Sequence, residues 1–163
     1  MSYAEKTTVP VEKSRAEIEL ILSRYGADQF GYAQDRNRGL ASIQFRACGR
    51  HIRFVLELPQ TDEERFRKTP SRGRQRSCES AHRAWEQECR RKWRALSLCI
   101  KAKLEAVESD ISEFEEEFLA HIVLPGDISV SQLVRPQIEK AYATGDLPAG
   151  ITALLPAPKK SDN

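Results

Sequence analysis

The chain is poor in the features that announce a location or a reaction. No apolar run approaches the roughly 18 to 20 residues that cross a bilayer, and the opening MSYAEKTTVPVEKS lacks the apolar stretch of a secretory signal. The expected compartment is therefore the cytoplasm, with no membrane partner. There is no Gly-rich phosphate loop, no GxSxG and no HExxH, and the three histidines, His51, His82 and His121, are far apart. A metal-dependent nuclease needs clustered carboxylates beside a lysine on adjacent strands, whereas Glu57 stands almost alone on its predicted strand. The run EFEEEF spreads its acids over several helix faces. These absences leave catalysis with little support, and a non-enzyme without a cofactor is expected. The four cysteines, Cys48, Cys78, Cys89 and Cys99, are unevenly spaced with no CxxC pair, so free thiols are expected. Cys89 and Cys99 fall among apolar helix positions and read as buried small hydrophobes. Cys78 and His82 share a helix face, but two ligands do not make a zinc site. No internal repeat is visible, and a net charge of +2 argues against both a strongly basic nucleic-acid coat and an acidic DNA mimic.

What remains is 163 residues, 31% of them charged and 40% hydrophobic, enough for one core. The expected organisation is a single α+β domain over residues 1–145, with a mobile basic loop at about 59–76, then a Pro- and Lys-containing tail over 146–163. The domain should comprise an N-terminal helix, a small antiparallel β-meander, a long helix and shorter C-terminal helices. Ser14 and Glu17 have capping-box spacing before Ile18, Ile21, Leu22 and Tyr25, and Gly26 is placed to end that helix. Phe30 and Tyr32 read as a short strand before the polar turn at 35–39.

In LASIQFRACGRHIRFVLEL, a two-residue turn at Gly49 and Arg50 of type II′ would pair Ala47 with Ile52, Phe45 with Phe54 and Ile43 with Leu56. One face is then apolar at every pair and covers a core. The other face sets Arg46 directly opposite Arg53. From 59 to 76 the composition turns to Pro, Ser, Gly and charge with almost no apolar periodicity. A long helix over about 77–108 follows, with Trp85, Cys89, Trp93, Leu96, Ile100 and Val107 on one face. Ser112 with Glu115 opens a second capping box, predicting a helix whose Phe114, Phe118 and Ile122 face the core. After a turn at 124–127, residues 131–144 form a last helix that tolerates Pro136 only near its first turn or with a kink. Gly145 stops it.

Charge is segregated within the chain. Residues 65–103 hold 13 Lys and Arg against 3 Glu, while residues 104–120 hold 7 acids and no base. Arg83, Arg90, Arg94 and Lys101 line up within about 40° on the predicted long helix, on the face away from the tryptophans. The planar guanidinium makes paired bonds to phosphate oxygens, and phosphate neutralisation releases counterions. Arg72, Arg74 and Arg76 in the preceding loop, and Arg46 and Arg53 on the hairpin, extend the candidate surface. Against this reading, Glu79 with Arg83 and Glu86 with Arg90 have the favourable i, i+4 order, and the acidic run can fold back on the basic helix or dock on it in a second copy.

The stretches WRALSLCIKAKLEAVES, FEEEFLAHIVLP and TTVPVEKSRAEIELILSRYGADQF resemble a group of short proteins encoded by tailed phages and prophages, over roughly residues 7–145. The resemblance implies a mobile-element origin and the cytoplasm of a bacterial host, and it carries no activity or site residue. Two expectations follow. One is a non-enzymatic accessory protein that associates with DNA or RNA backbone through its Arg-rich loop and helix. The other is a protein-binding inhibitor of a host defence or replication complex, an anti-defence protein. Homodimerisation through the basic and acidic segments is a further possibility.

Overall fold

The computed structural model describes residues 4–69 and 73–146. The elements run α1 (Val11–Arg24), β1 (Gln29–Asp35), β2 (Leu40–Ala47), β3 (Arg50–Glu57), α2 (Glu64–Arg67), α3 (Cys78–Glu108) and α4 (Phe114–Phe118). A 3₁₀ turn (Leu119–His121), a two-stranded ribbon of β4 (Val123–Leu124) and β5 (Ile128–Ser129), and α5 (Val130–Thr144) complete the chain. This is the α+β architecture expected: an antiparallel meander in the order β1-β2-β3, a 31-residue helix and shorter helices after it.

Alternation along the strands decides which face of the meander is covered. Ala41, Ile43, Phe45 and Ala47 of β2 are buried together with Ile52 and Phe54 of β3. Against them lie Ile18 and Leu22 of α1, Trp93, Ile100 and Leu104 of α3, and Phe118 of α4. Phe118 meets Phe45 and Phe54 edge-on, with ring centroids 5.9 and 6.2 Å away. Each such side chain contributes about 1.5 to 3 kcal/mol by leaving water, so this layer holds the fold.

The hairpin register differs from the expected one by two residues. Ala47 pairs with Arg50, Phe45 with Ile52 and Ile43 with Phe54. The turn is Cys48-Gly49, with φ of 50° and 71°, the doubly positive pattern of a type I′ turn rather than type II′. A slip of two preserves the faces, so the core side is as expected, but the arginine pairing is not. Arg46 lies opposite His51, and Arg53 opposite Gln44.

Helix ends bring further corrections. α1 starts three residues before Ser14, after Pro10 and without a side-chain cap, which leaves Ser14 buried inside the helix. Its end is as expected: the Gly26 N–H bonds the Ser23 carbonyl and the Ala27 N–H bonds the Leu22 carbonyl, a Schellman closure around Gly26 at φ 77°. Ser77 caps α3 by accepting from the Ser80 N–H at 3.2 Å. Ser112 caps nothing; α4 lasts five residues, and the chain then turns so that Ile122 bridges to Ile52. The working capping box is Ser129 with Gln132, at the head of α5, and Pro136 falls in the second turn of that helix. Cys99 is exposed, whereas Cys89 is buried.

Within the stretch expected to be a mobile loop, the described residues 59–69 and 73–76 make specific contacts. Phe66 of α2 is buried, the Trp85 indole N–H donates to the Pro59 carbonyl at 2.7 Å, and Lys68 bridges to Gln75. Arg72 and the tail from 147 onward, with Pro148, Pro156, Pro158, Lys159 and Lys160, lie outside the described residues.

Candidate anion-binding surfaces

The expected stripe on α3 is divided by what packs beside it. Arg83 is exposed and sits 3.4 Å from Glu79. Arg90 is half-buried and Arg94 is paired with Glu17, because α1 lies along that side of α3. Only Lys101 is exposed with no ion pair among the described residues. The stripe fails as a continuous solvent-facing track because its azimuth borders the buried face, a proximity that a view along one helix cannot reveal. The acidic run does fold back in part: Glu117 accepts from Lys103 at 3.2 Å, and Glu115 pairs with Arg50 at 2.5 Å.

On the hairpin, Arg53 is engaged. Its guanidinium donates to the Asp127 carboxylate at 2.6 Å and to the Asp127 carbonyl at 2.8 Å, tying β3 to the β4–β5 turn. Arg46 is exposed at the rim of a shallow hollow that it shares with Gln29, Arg50 and His51. Arg46 and Arg53 are diagonal neighbours on the outer face of the hairpin, but of the two only Arg46 has no ion pair among the described residues.

The segment before α3 keeps its charge available. The Arg76 N–H bonds the Arg67 carbonyl at 2.7 Å and the Thr69 N–H bonds the Arg74 carbonyl at 2.9 Å, so a small backbone loop gathers Arg67, Arg74 and Arg76. None of the three has an ion pair among the described residues, whereas nearby Lys68 and Arg65 are matched by Glu64 and Glu63. The Lys68 ammonium, bonded to Glu64, holds that carboxyl below its ordinary value. One turn or two along α3 lie His82, stacked on Trp85 at 5.2 Å, and Arg83.

A groove of about 440 Å³ opens between the head of α1, β1 and the first half of α3. Arg15, Arg36 and Arg90 line it, with Tyr32, Trp85 and Trp93 and the carboxylates of Glu12 and Glu86. The Arg15 guanidinium lies 3.6 Å over the Tyr32 ring and 5.9 Å from Trp93, a cation on an aromatic floor. Arg90 is set by Gln87, whose Oε1 accepts from Nε at 3.1 Å and Nη2 at 2.8 Å. The same Gln87 donates through Nε2 to the Thr7 carbonyl at 2.9 Å, which fastens the N-terminal strap along the groove. Cys89 also lines it, but burial, reinforced by the Glu88 carboxylate, pushes its thiol up to about 11. It stays protonated at neutral pH and is no nucleophile. Arg15 and Arg36 escape a sequence reading because neither belongs to a basic run; only the packing of α1 on β1 and α3 brings them to Arg90.

Among the described residues no three His, Cys, Asp or Glu side chains are close enough to hold a metal ion, and Cys78 and His82 are both exposed. No described helix is long and apolar enough to cross a membrane. The structure thus defines an α+β class of protein with arginine-bearing surfaces. Comparison with protein-family models, with curated proteins and with solved structures gives no match.

Proposed function

We propose that this is a non-enzymatic accessory protein that grips nucleic-acid backbone without reading bases. The observation that carries the reading is the pair of backbone bonds that gathers Arg67, Arg74 and Arg76 at the head of α3, with Arg83 beside them, the first three having no carboxylate partner among the described residues. Guanidinium groups gathered by backbone hydrogen bonds can contact several phosphates together. Charge that is already matched, as at Arg94 and Arg53, contributes little to such contact. A mobile-element origin and a bacterial cytoplasmic setting are part of this proposal, on the resemblance of the sequence stretches alone.

The test is fluorescence anisotropy with labelled single-stranded DNA, duplex DNA and RNA at two salt concentrations. Binding in the micromolar range or tighter that weakens steeply with salt is expected, and a triple Arg67, Arg74, Arg76 to Gln variant should lose most of it. No binding at low salt, or unchanged affinity in the variant, overturns the reading.

A second reading, a protein-binding inhibitor of a host defence or replication complex, is favoured by one observation. Helix α5 buries no residue, and its Leu133, Ile138 and Tyr142 are exposed. Single exposed apolar side chains are ordinary, but three on one helix whose inner face, Val130, Val134, Gln137 and Ala141, is only half-buried suit a partner surface.

A further inference from the structure

We infer that the groove between α1 and α3 is a binding site for a nucleotide phosphate monoester, either a free mononucleotide or the phosphorylated end of a strand. The assignment deepens the nucleic-acid reading, on which its strand-end form rests. Its phosphate chemistry rests on the groove alone.

The volume, about 440 Å³, lies within the range of small-ligand sites. Two features of its cations point to an anion. Arg15 is half-buried and held flat on Tyr32 at 3.6 Å, yet its in-plane N–H groups have no hydrogen bond or ion pair among the described residues. A stacked guanidinium with an unused edge is preorganised for a planar pair of oxygens. Arg36, in the turn after β1, is likewise without an ion pair there, and Arg90 is aimed by its two bonds to Gln87.

The carboxylates in the same groove discriminate among anions. Glu12 and Glu86 would repel a bare phosphate that filled the whole space, but they are acceptors for ribose hydroxyls or exocyclic amines. Glu86 already leans on His82 at 3.4 Å and Arg90 at 3.9 Å. The half-buried Trp85 and Leu58 supply an apolar wall. Guanidinium groups for phosphoryl oxygens, carboxylates that accept from hydroxyls or amines and an apolar wall, all in one groove, describe a nucleotide rather than inorganic phosphate.

The groove contains both tryptophans of the chain, so intrinsic fluorescence reports its occupancy. Adenosine 5′-monophosphate should produce a saturable change, at concentrations well below those at which adenosine or inorganic phosphate acts. Arg36→Gln, an exposed turn position that cannot unfold the core, should weaken it about tenfold or more, as should Arg15→Gln, the size expected for a lost charge-assisted hydrogen bond. No change at millimolar nucleotide, equal response to inorganic phosphate, or full affinity in both variants overturns the assignment. A 5′-phosphorylated oligonucleotide that binds more tightly than its 5′-hydroxyl twin assigns the strand end, and a response to the mononucleotide alone assigns the free ligand. Oligonucleotide binding that depends on Arg67, Arg74 and Arg76, with a silent groove, would remove this inference and leave the broader reading standing. A responding groove in a protein that binds no oligonucleotide would do the reverse.

Discussion

Against the inner face of the sheet lie α1, α3 and α4, with Phe45, Trp93 and Phe118 each 1% exposed or less; over the outer face runs α5, none of whose residues is more than half-buried. The inner layer is joined by aromatic edges and aliphatic contacts. The outer one encloses a hollow of about 1,030 Å³ whose walls include Gln44, Arg53 and Val55 of the sheet and Gln132, Arg135 and Glu139 of α5. Val55 itself is 60% exposed. The core therefore lies on one face, and the other is expected to open at a lower free energy than global unfolding. The nucleotide groove and the arginine loop are both anchored to α3, the rigid side, whereas the exposed apolar residues ride on α5, the loose one.

The largest expected effect breaks the inner face. Trp93 is packed on Tyr32 with ring centroids 5.5 Å apart and is 1% exposed, so Trp93→Ala should cost about 3 to 5 kcal/mol in urea unfolding. A loss below about 1 kcal/mol would mean that the inner layer is not the seat of stability.

The next sharpens the outer face. Pro136 removes the N–H that would bond the Gln132 carbonyl, in the second turn of α5. Pro136→Ala should stabilise that helix by about 1 to 3 kcal/mol, read as slower amide exchange in α5 with unchanged exchange in β2 and α3. Equal slowing everywhere would show that α5 opens only with the whole domain.

A smaller effect returns to the inner layer. Ser14 of α1 and Ser97 of α3 are buried, and neither hydroxyl has a hydrogen-bond partner among the described residues. Ser97→Ala should leave stability unchanged or raise it by about 1 kcal/mol, since the hydroxyl is desolvated without compensation. A loss larger than about 1 kcal/mol would reveal a bond to that oxygen in solution.

The legibility of the two faces differs in the same way. Periodicity located α1, β2, β3 and α3 because each has one strongly apolar side, and burial acts on sides. It could not separate a register from its two-residue slip, since Ile43 is apolar opposite either Leu56 or Phe54. Of the two capping boxes read from the sequence, Ser14 with Glu17 and Ser112 with Glu115, neither caps its helix, and the box that forms, Ser129 with Gln132, went unread, because a cap needs the chain to enter from outside at that residue. The candidate site was legible only in part. Arg74, Arg76 and Arg83 stand in a local charge excess that composition reveals, whereas the burial of Arg94 against Glu17 and the meeting of Arg15, Arg36 and Arg90 are tertiary facts. Cys99 shows the same limit, since apolar neighbours in a helix do not decide which azimuth its partners leave open.

The smallest expected effect lies at the seam between the faces, where His121 stacks on Phe54 with centroids 3.9 Å apart while also lining the outer hollow. Burial, reinforced by the Lys103 charge, holds its imidazole below the ordinary value, against an opposing backbone hydrogen bond with Arg53. The folded protein thus favours the neutral ring. Below the unfolded value of about 6.5, the unfolded chain binds a proton that the folded chain resists. This contribution is complete above that pH and is lost as the pH falls from there toward the depressed folded value. Urea midpoints taken between about pH 7.5 and pH 5.5 should fall for the wild type and fall less for His121→Gln, whose side chain does not titrate. The carboxylates held low by their cations, Glu88 by Arg91 and Glu64 by Lys68, act at more acid pH and do not confuse this window. Parallel curves for the two proteins would mean that the seam opens with α5 and that His121 titrates as a solvated residue, which would extend the loose outer layer inward to Phe54.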